Sequence, residues 1–319
     1  MSDHKIVEVA AGILIDREGR FLLGSRPAGK PYAGYWEFPG GKLEAGETAH
    51  QALARELVEE LGVTITAATP WIVQTFTYPH ATVRLHFFRV TGWLGDPHPH
   101  EGQQFAWQRV GALNVSPILP ANGPILRGLA LPDTLAISAA HRLGRENWLH
   151  RLDHALAHDL SMLVLREPQL DLEHYGALAA ETVSRARRHG CRVLLHGALE
   201  QVGPLVAATG ANGLHLSARE AAALRHRPHG FDWLGVSTHN ATELTVAQRI
   251  GADYALLGHV APTASHPDQP PLGWEGFAAT VDHGWPLPVY ALGGLDAHDV
   301  AQAKASGGHG VAMLSAVWA

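Results

Sequence analysis

"GGKLEAGETAHQALARELVEELGV", Gly40 to Val63, puts a glycine pair ahead of a helix that carries Glu56, Glu59 and Glu60 within five residues. Thr48 followed by Gln51 is a capping-box pattern, so the helix is expected to start near Ala49. Gly62 ends it, because glycine adopts the left-handed conformation at low cost. At about 100° per residue, Leu53, Leu57 and Leu61 share one face with Ala54 and Val58. The three glutamates fall on a different arc. Like charges four residues apart cost a helix roughly 0.2–0.5 kcal/mol per pair, so either water solvates this arc or a partner neutralises it.

On both sides of this helix the first ~130 residues read as an α/β domain with mixed strands. Expected strands are Ile6–Ile15, Arg20–Arg26, Trp71–Tyr78, Thr82–Trp93 and Phe105–Val110, rich in β-branched and aromatic residues. "DREGR" (Asp16–Arg20) is a hairpin turn signal. A second helix is expected over Ala121–Leu129. After "LALPDT" (Leu129–Thr134) the composition changes to eight short apolar runs separated by alanine-rich helical stretches. The runs are Leu135–Ser138, Leu160–Arg166, Arg192–His196, Gly213–Leu216, Trp233–Thr238, Tyr254–Val260, Val289–Leu292 and Gly310–Leu314. Strand–helix alternation repeated eight times argues for a parallel (β/α)₈ barrel of the TIM type. The expected domains are residues 1–131 and 132–319.

Composition bounds the function. The chain has 319 residues, 46% hydrophobic and 17% charged, with a net charge of −6. It can bury two cores, and its acidity argues against a nucleic-acid polymer as partner. The single cysteine, Cys191, excludes a disulfide scaffold within the chain and suits a reducing compartment. No apolar run has the length of a membrane helix, and the N-terminal stretch has no signal-peptide pattern. The expectation is a cytoplasmic protein with no membrane partner. "GDPHPHEG" (Gly95 to Gly102) reads as a polar loop.

The spacing around the glutamates is specific. Gly41, Glu47 and Arg55-Glu56-Leu57-x-Glu59-Glu60-x-Gly62-Val63 stand where the Nudix box has its defining positions, so this part of the chain resembles the Nudix hydrolases, whose domain is an α/β/α sandwich with a mixed sheet. The resemblance implies that Glu56, Glu59 and Glu60 ligate Mg²⁺ (Mn²⁺ being the alternative ion), with Glu47 nearby and Arg55 orienting a glutamate by a charged hydrogen bond. Hard divalent cations favour such carboxylate oxygens. "WEFPGGKLEAGE" and "EGQQFAWQRVGALNVSPILPANGPIL" look like the MutT-type 8-oxo-dGTP diphosphatases. That likeness adds Glu101 to the metal site and assigns Asn122, in "LPANGP", to the oxidised purine. Phe38 and Tyr78 match positions lining the base pocket, Arg26 lies on a strand that reaches it, and Gly40, Gly41 and Lys42 adjoin the substrate. The implied reaction is hydrolysis of a nucleoside triphosphate to a monophosphate and pyrophosphate, with Glu56 or Glu101 as general base. Its implied cellular role is mutation avoidance.

From Leu135 onward the chain resembles the thiamine phosphate synthase/TenI superfamily, through "ANGLHLSARE", "LGVSTHNATEL", "GADYALLGHVAPTASHP", "PVYALGGL" and "GHGVAMLSAVW". Gly293 and Gly294, with the turn near Ser315, match that family's phosphate cradle, which implies a thiazole phosphate or another phosphate ligand. Arg166 is kept from the synthase run after strand two. Other synthase positions differ: His196-Gly197 replaces Asn-Asp, Glu220 replaces a metal-binding Asp, and "SHPDQ" stands where a lysine is expected. Gly258-His259-Val260 matches the TenI branch, where His259 would move protons. Two further readings follow from this half. The whole protein could be a thiamine-pathway enzyme whose Nudix half cuts a pyrimidine or thiamine pyrophosphate, or the barrel could act only as a phosphate-ligand sensor or scaffold.

Overall fold

The computed structural model describes residues 6–100, 102–263 and 268–318. One compact unit is built from the chain up to Ala130 together with Gly284–Pro286, and a second from Leu131–His283 and Leu287–Ala319.

The first unit runs β1 (Val7–Leu14), β2 (Phe21–Ser25), β3 (Trp36–Glu37), β4 (Gly40–Lys42), α1 (Ala49–Leu61), β5 (Thr64–Tyr78), β6 (Ala81–Leu94) and β7 (Phe105–Gln108). A 3₁₀ turn over Pro120–Asn122 then leads into α2 (Gly123–Leu129). Four strands form a sheet in the order β4-β1-β6-β5 and three form a second in the order β3-β2-β7. The larger sheet is mixed, since β1 and β6 are parallel while β4 and β5 pair antiparallel. Asp16 closes the β1–β2 turn by accepting from the backbone N–H of Glu18 and Arg20 at 3.0 and 2.8 Å.

Side chains alternate across β1. Ala10 and Leu14 pack with Leu53, Leu57 and Leu61 of α1, while Ala11 and Ile13 pack with Phe21, Phe38, Phe87 and Ile125 on the other side. A helix therefore covers each side, which is the expected α/β/α sandwich. The face of α1 is narrower than the sequence suggests: Val58 is 47% exposed. β5 begins seven residues before the expected Trp71, at Thr64. Its first half contains Pro70 and several register shifts, which an edge strand tolerates.

The second unit is a closed barrel of eight parallel strands: β8 (Thr134–Ile137), β9 (Met162–Leu165), β10 (Arg192–His196), β11 (Gly213–Leu216), β12 (Trp233–Thr238), β13 (Tyr254–Gly258), β14 (Val289–Leu292) and β15 (Val311–Met313). Each falls on one of the eight apolar runs. The helices between them are α3 (Ala140–Leu143), α4 (Arg145–Ala157), α5 (Leu172–Arg187), α6 (Leu199–Thr209), α7 (Ala218–Ala223), α8 (Ala241–Arg249), α9 (Gly273–Val281) and α10 (Val300–Ala305). Leu135, Ile137, Met162, Val164, Leu194, Tyr254, Leu256, Tyr290 and Ala312 form one buried cluster. Side-chain caps fix the strand-to-helix turns: Asp171, Ser217 and Asn240 each accept from the backbone three residues on. Among the described residues, no helix is long and apolar enough to cross a membrane.

Candidate active site

Helix α1 starts and stops where its sequence directs. Thr48 Oγ1 accepts from Gln51 N at 3.2 Å, Gln51 Oε1 accepts from Thr48 N at 2.9 Å, and Gly62 closes the helix at φ 69°. This turns Arg55, Glu56, Glu59 and Glu60 away from the core formed by Leu53, Leu57 and Leu61.

Arg55 gathers the carboxylates. Its Nε and Nη2 donate to the two oxygens of Glu47 at 2.9 and 3.0 Å, a forked pair. Its Nη1 donates to Glu56 at 3.0 Å and Glu59 at 3.2 Å, and Nη2 also reaches the Lys42 carbonyl at 3.0 Å. The Arg55 guanidinium, helped by the Glu44 N–H, holds the Glu47 carboxyl down at about 2. Glu60 behaves in the opposite way. Burial, opposed by the Gly40 N–H and reinforced by the charges of Glu56 and Glu37, pushes it up to about 7.

The glycine pair makes this crowding sterically feasible. Gly40 sits at φ 142°, and a Cβ there would lie 2.1 Å from the Ala10 carbonyl oxygen. A Cβ on Gly41 would lie 2.1 Å from the Glu56 carboxylate. β4 pairs with β1 through Ala11↔Gly40 and Ala10↔Gly41, so the turn is held by the sheet. Gly40 N donates to Glu60 at 3.1 Å. Among the described residues, no three metal-ligating side chains converge on one point. Glu56 and Glu60 instead flank one glycine turn. This oxygen-only set, overcharged at Glu60, fits a hard divalent cation that keeps water and phosphate oxygens in its shell. Lys42 is exposed, and Glu101 lies outside the described residues.

A second group of sequence-derived residues lies around the 3₁₀ turn. Asn122 is 3% exposed, and its side-chain Nδ2 has no hydrogen-bond partner among the described residues. It occupies the N-cap position of α2, yet its side chain makes no capping bond. Tyr78 packs with Leu119 and Ala121 in a buried cluster, beside Phe76 at 4.6 Å, Tyr32 at 5.4 Å and His80 at 5.5 Å between ring centroids. Burial pushes its hydroxyl up to about 12. Phe38 is part of the hydrophobic core, 5.8 Å from Phe21 and 6.0 Å from Phe87.

Arg26 is fastened to Glu37, with Nη1 donating at 2.6 and 2.7 Å, and its Nε donates to the Pro31 carbonyl at 2.8 Å. Sequence reasoning passed over Glu37. Its charge acts on both Glu60 and Tyr78, so it links the carboxylate group to the aromatic one. Burial raises its own carboxyl against the pull of Arg26. The only signal was its place in "WEFPGG", immediately before the glycine turn. Gln74, also passed over, is buried and donates from Nε2 to the Ala121 carbonyl beside Asn122.

At the barrel mouth, Gly293 and Gly294 have φ of 104° and 71°. A Cβ on Gly293 would lie 2.4 Å from that of His259, and one on Gly294 would lie 2.6 Å from the Pro262 carbonyl oxygen. They let the segments after β13 and β14 approach, and Val260 N and Ala261 N donate to Leu292 and Gly293 carbonyls at 2.8 and 3.0 Å. His259 is buried, with Nε2 donating to the Gln269 carbonyl at 3.2 Å. Ser315 Oγ accepts from Arg142 at 3.1 Å. Arg166 is exposed. Glu167 is buried and accepts from Ser138 Oγ, Ala140 N and His141 N at 2.6–2.8 Å. His215, which the sequence reading passed over, is buried between Tyr254 Oη and Ser237 Oγ, each at 2.9 Å. Its ring stacks 5.8 Å from His196. Burial, then the charge of Arg166, lowers His196 to about 4.

Two families match this chain: residues 6–129 match the NUDIX domain and residues 134–317 match thiamine monophosphate synthase. The first unit is 40% identical to the 8-oxo-dGTP diphosphatase of Haemophilus influenzae, over 40% of this chain and 93% of the relative. It is 38% identical to the CTP pyrophosphohydrolase of Escherichia coli, over 38% of this chain and 90% of the relative. The second unit is 33% identical to the thiamine-phosphate synthase of Chloroflexus aurantiacus, over 44% of this chain and 63% of that protein. The chain therefore belongs to the Nudix family through its first unit and to the thiamine monophosphate synthase family through its second. The first unit is a pyrophosphohydrolase.

Proposed function

We propose that the Nudix unit hydrolyses 8-oxo-dGTP to 8-oxo-dGMP and pyrophosphate with Mg²⁺, keeping oxidised guanine out of DNA. The observation that carries this reading is the buried Nδ2 of Asn122, which has no partner among the described residues. An orphaned buried donor costs roughly 1–3 kcal/mol, and Asn122 recovers nothing by capping α2. An acceptor on a purine edge would satisfy it, and the amide oxygen can accept in turn. The likeness to the diphosphatase of Haemophilus influenzae supports the same substrate.

Glu56, Glu59 and Glu60 would hold the cation, with Glu101 as a further ligand. When bound, Mg²⁺ would supply charge neutralisation at the diphosphate and a more acidic water. The chain's own residues do the rest. Arg55 fixes Glu47 and Glu56, Gly40 and Gly41 let the backbone approach the phosphates, and Lys42 adds positive charge there. Arg26, held by Glu37, borders the pocket with Tyr78 and Phe38. Water attacks the β-phosphorus, its proton passes to Glu56 or Glu101, and the bond to the α-phosphate oxygen breaks. The domain division near residue 131, a phosphate ligand at Gly293, Gly294 and Ser315, and proton transfer at His259 belong to the same reading.

The test is turnover of the pure protein with Mg²⁺ against 8-oxo-dGTP, dGTP, CTP and thiamine pyrophosphate. The reading expects 8-oxo-dGTP to be preferred. Preference for CTP would assign the substrate of the Escherichia coli relative instead. Preference for thiamine pyrophosphate would make the Nudix unit a thiamine-pathway enzyme.

A further inference from the structure

The segment "DPHPH", Asp96 to His100, sits over the C-terminal end of α1 and takes no part in the reaction described above. His98 N donates to the Leu61 carbonyl at 3.2 Å, and His100 N donates to the Glu60 carbonyl at 3.3 Å. Both side chains are exposed. They lie directly above Gly62, where a Cβ would come within 2.9 Å of His98 Cε1 and 3.0 Å of His100 Nε2.

The ring nitrogens are arranged as in a chelating pair. His98 Nδ1 is 2.8 Å from the Asp96 carbonyl oxygen, which can only accept, so Nδ1 carries the proton and the Nε2 lone pair faces His100 Nε2. A histidine that donates one ring N–H to a backbone carbonyl is fixed in the tautomer that metals bind. His100 Nε2 donates to His98 Nε2 at 2.7 Å, with the rings 4.4 Å apart and tilted by 54°, so an ion bound between them takes the place of that proton, which moves to His100 Nδ1. Two imidazole nitrogens at about 2.0–2.1 Å from one tetrahedral ion stand about 3.3 Å apart. Separating the two nitrogens by about 0.6 Å admits the ion. Pro97 and Pro99 restrict the backbone in this register. The negative end of the α1 dipole lies beneath, which favours a cation.

We propose that His98 and His100 form a bidentate site for an imidazole-preferring divalent transition metal such as Zn²⁺, completed by water. Its nitrogen ligands distinguish it from the oxygen site of Glu56, Glu59 and Glu60, which prefers Mg²⁺. The bound ion fastens the segment before Glu101 to the end of the helix that bears the Nudix glutamates.

Zn²⁺ is titrated calorimetrically into the full-length protein, with millimolar Mg²⁺ present throughout to occupy the oxygen site. Wild type is expected to bind one more Zn²⁺ per chain than H98Q/H100Q, and Zn²⁺ should raise its Tm more. H154Q/H158Q, which removes a second stacked histidine pair, 4.2 Å apart at the C-terminal end of α4, should keep the extra site. Equal stoichiometry in wild type and H98Q/H100Q would overturn the proposal. Should H98Q/H100Q not fold, the His98 and His100 ring resonances of wild type decide: they shift on addition of Zn²⁺, or their constancy refutes the site.

Discussion

Buried polar groups at the barrel mouth and around Asn122 and Glu60 of the Nudix unit are met differently, although Trp148 Nε1 and Thr182 Oγ1 elsewhere in the barrel also have no hydrogen-bond partner among the described residues. At the barrel mouth the groups answer one another: Glu167 accepts three hydrogen bonds, and both ring nitrogens of His215 have partners. In the Nudix unit the pocket keeps its needs open. Asn122 Nδ2 has no partner among the described residues, and burial, with the charges of Glu56 and Glu37, pushes Glu60 up to about 7. Native interiors rarely leave such groups unmet without a reason. On the proposed reading the open groups are where a ligand and a cation bind, whereas the closed network at the mouth reads first as stability.

The largest expected effect that would break this contrast is at Glu60. E60Q removes a charge the cation needs, and kcat should fall roughly 10³-fold, equivalent to several kcal/mol of transition-state stabilisation. Near-normal turnover would remove Glu60 from the site. R55K keeps the charge but loses the fork that holds Glu47 and Glu56, so kcat/KM should drop roughly 10–100-fold. N122A should lower the preference for 8-oxo-dGTP over dGTP on the order of 10-fold while slowing dGTP much less. In the barrel, H215L strands Tyr254 and Ser237 and should cost about 1–3 kcal/mol of stability, read by denaturant unfolding. Nucleotide turnover should stay unchanged.

A pH response is also expected at His196. Its folded-state value of about 4 lies below the ordinary 6.5. The unfolded chain therefore takes up a proton first, and barrel stability should decline as pH falls from about 6.5 towards 4. H196Q should flatten that slope in an unfolding series across this range.

Much of this was legible in sequence because the signals were local or periodic. Thr48, Gln51 and Gly62 set the ends of α1, and all eight barrel strands fell on apolar runs. What was missed depends on partners distant in sequence. β3 has two residues and exists through its pairing with β2 and a bridge from Trp36 to Ile118. The first half of β5 is held by β6 despite Pro70. Glu37 is a lone carboxylate with no spacing signature, and it matters only because Arg26 and the glycine turn meet it. The apolar arc of α1 was drawn too wide at Val58, because periodicity gives a direction and not the breadth of the surface that covers it.

On the proposed reading, Asn122 reads an oxidised purine beside a carboxylate-held cation. The most direct measurement is the wild-type ratio of kcat/KM for 8-oxo-dGTP to that for dGTP, with Mg²⁺ and under one set of conditions. The account predicts a ratio of at least ~10, the equivalent of one well-placed buried hydrogen bond. A ratio near one would contradict it.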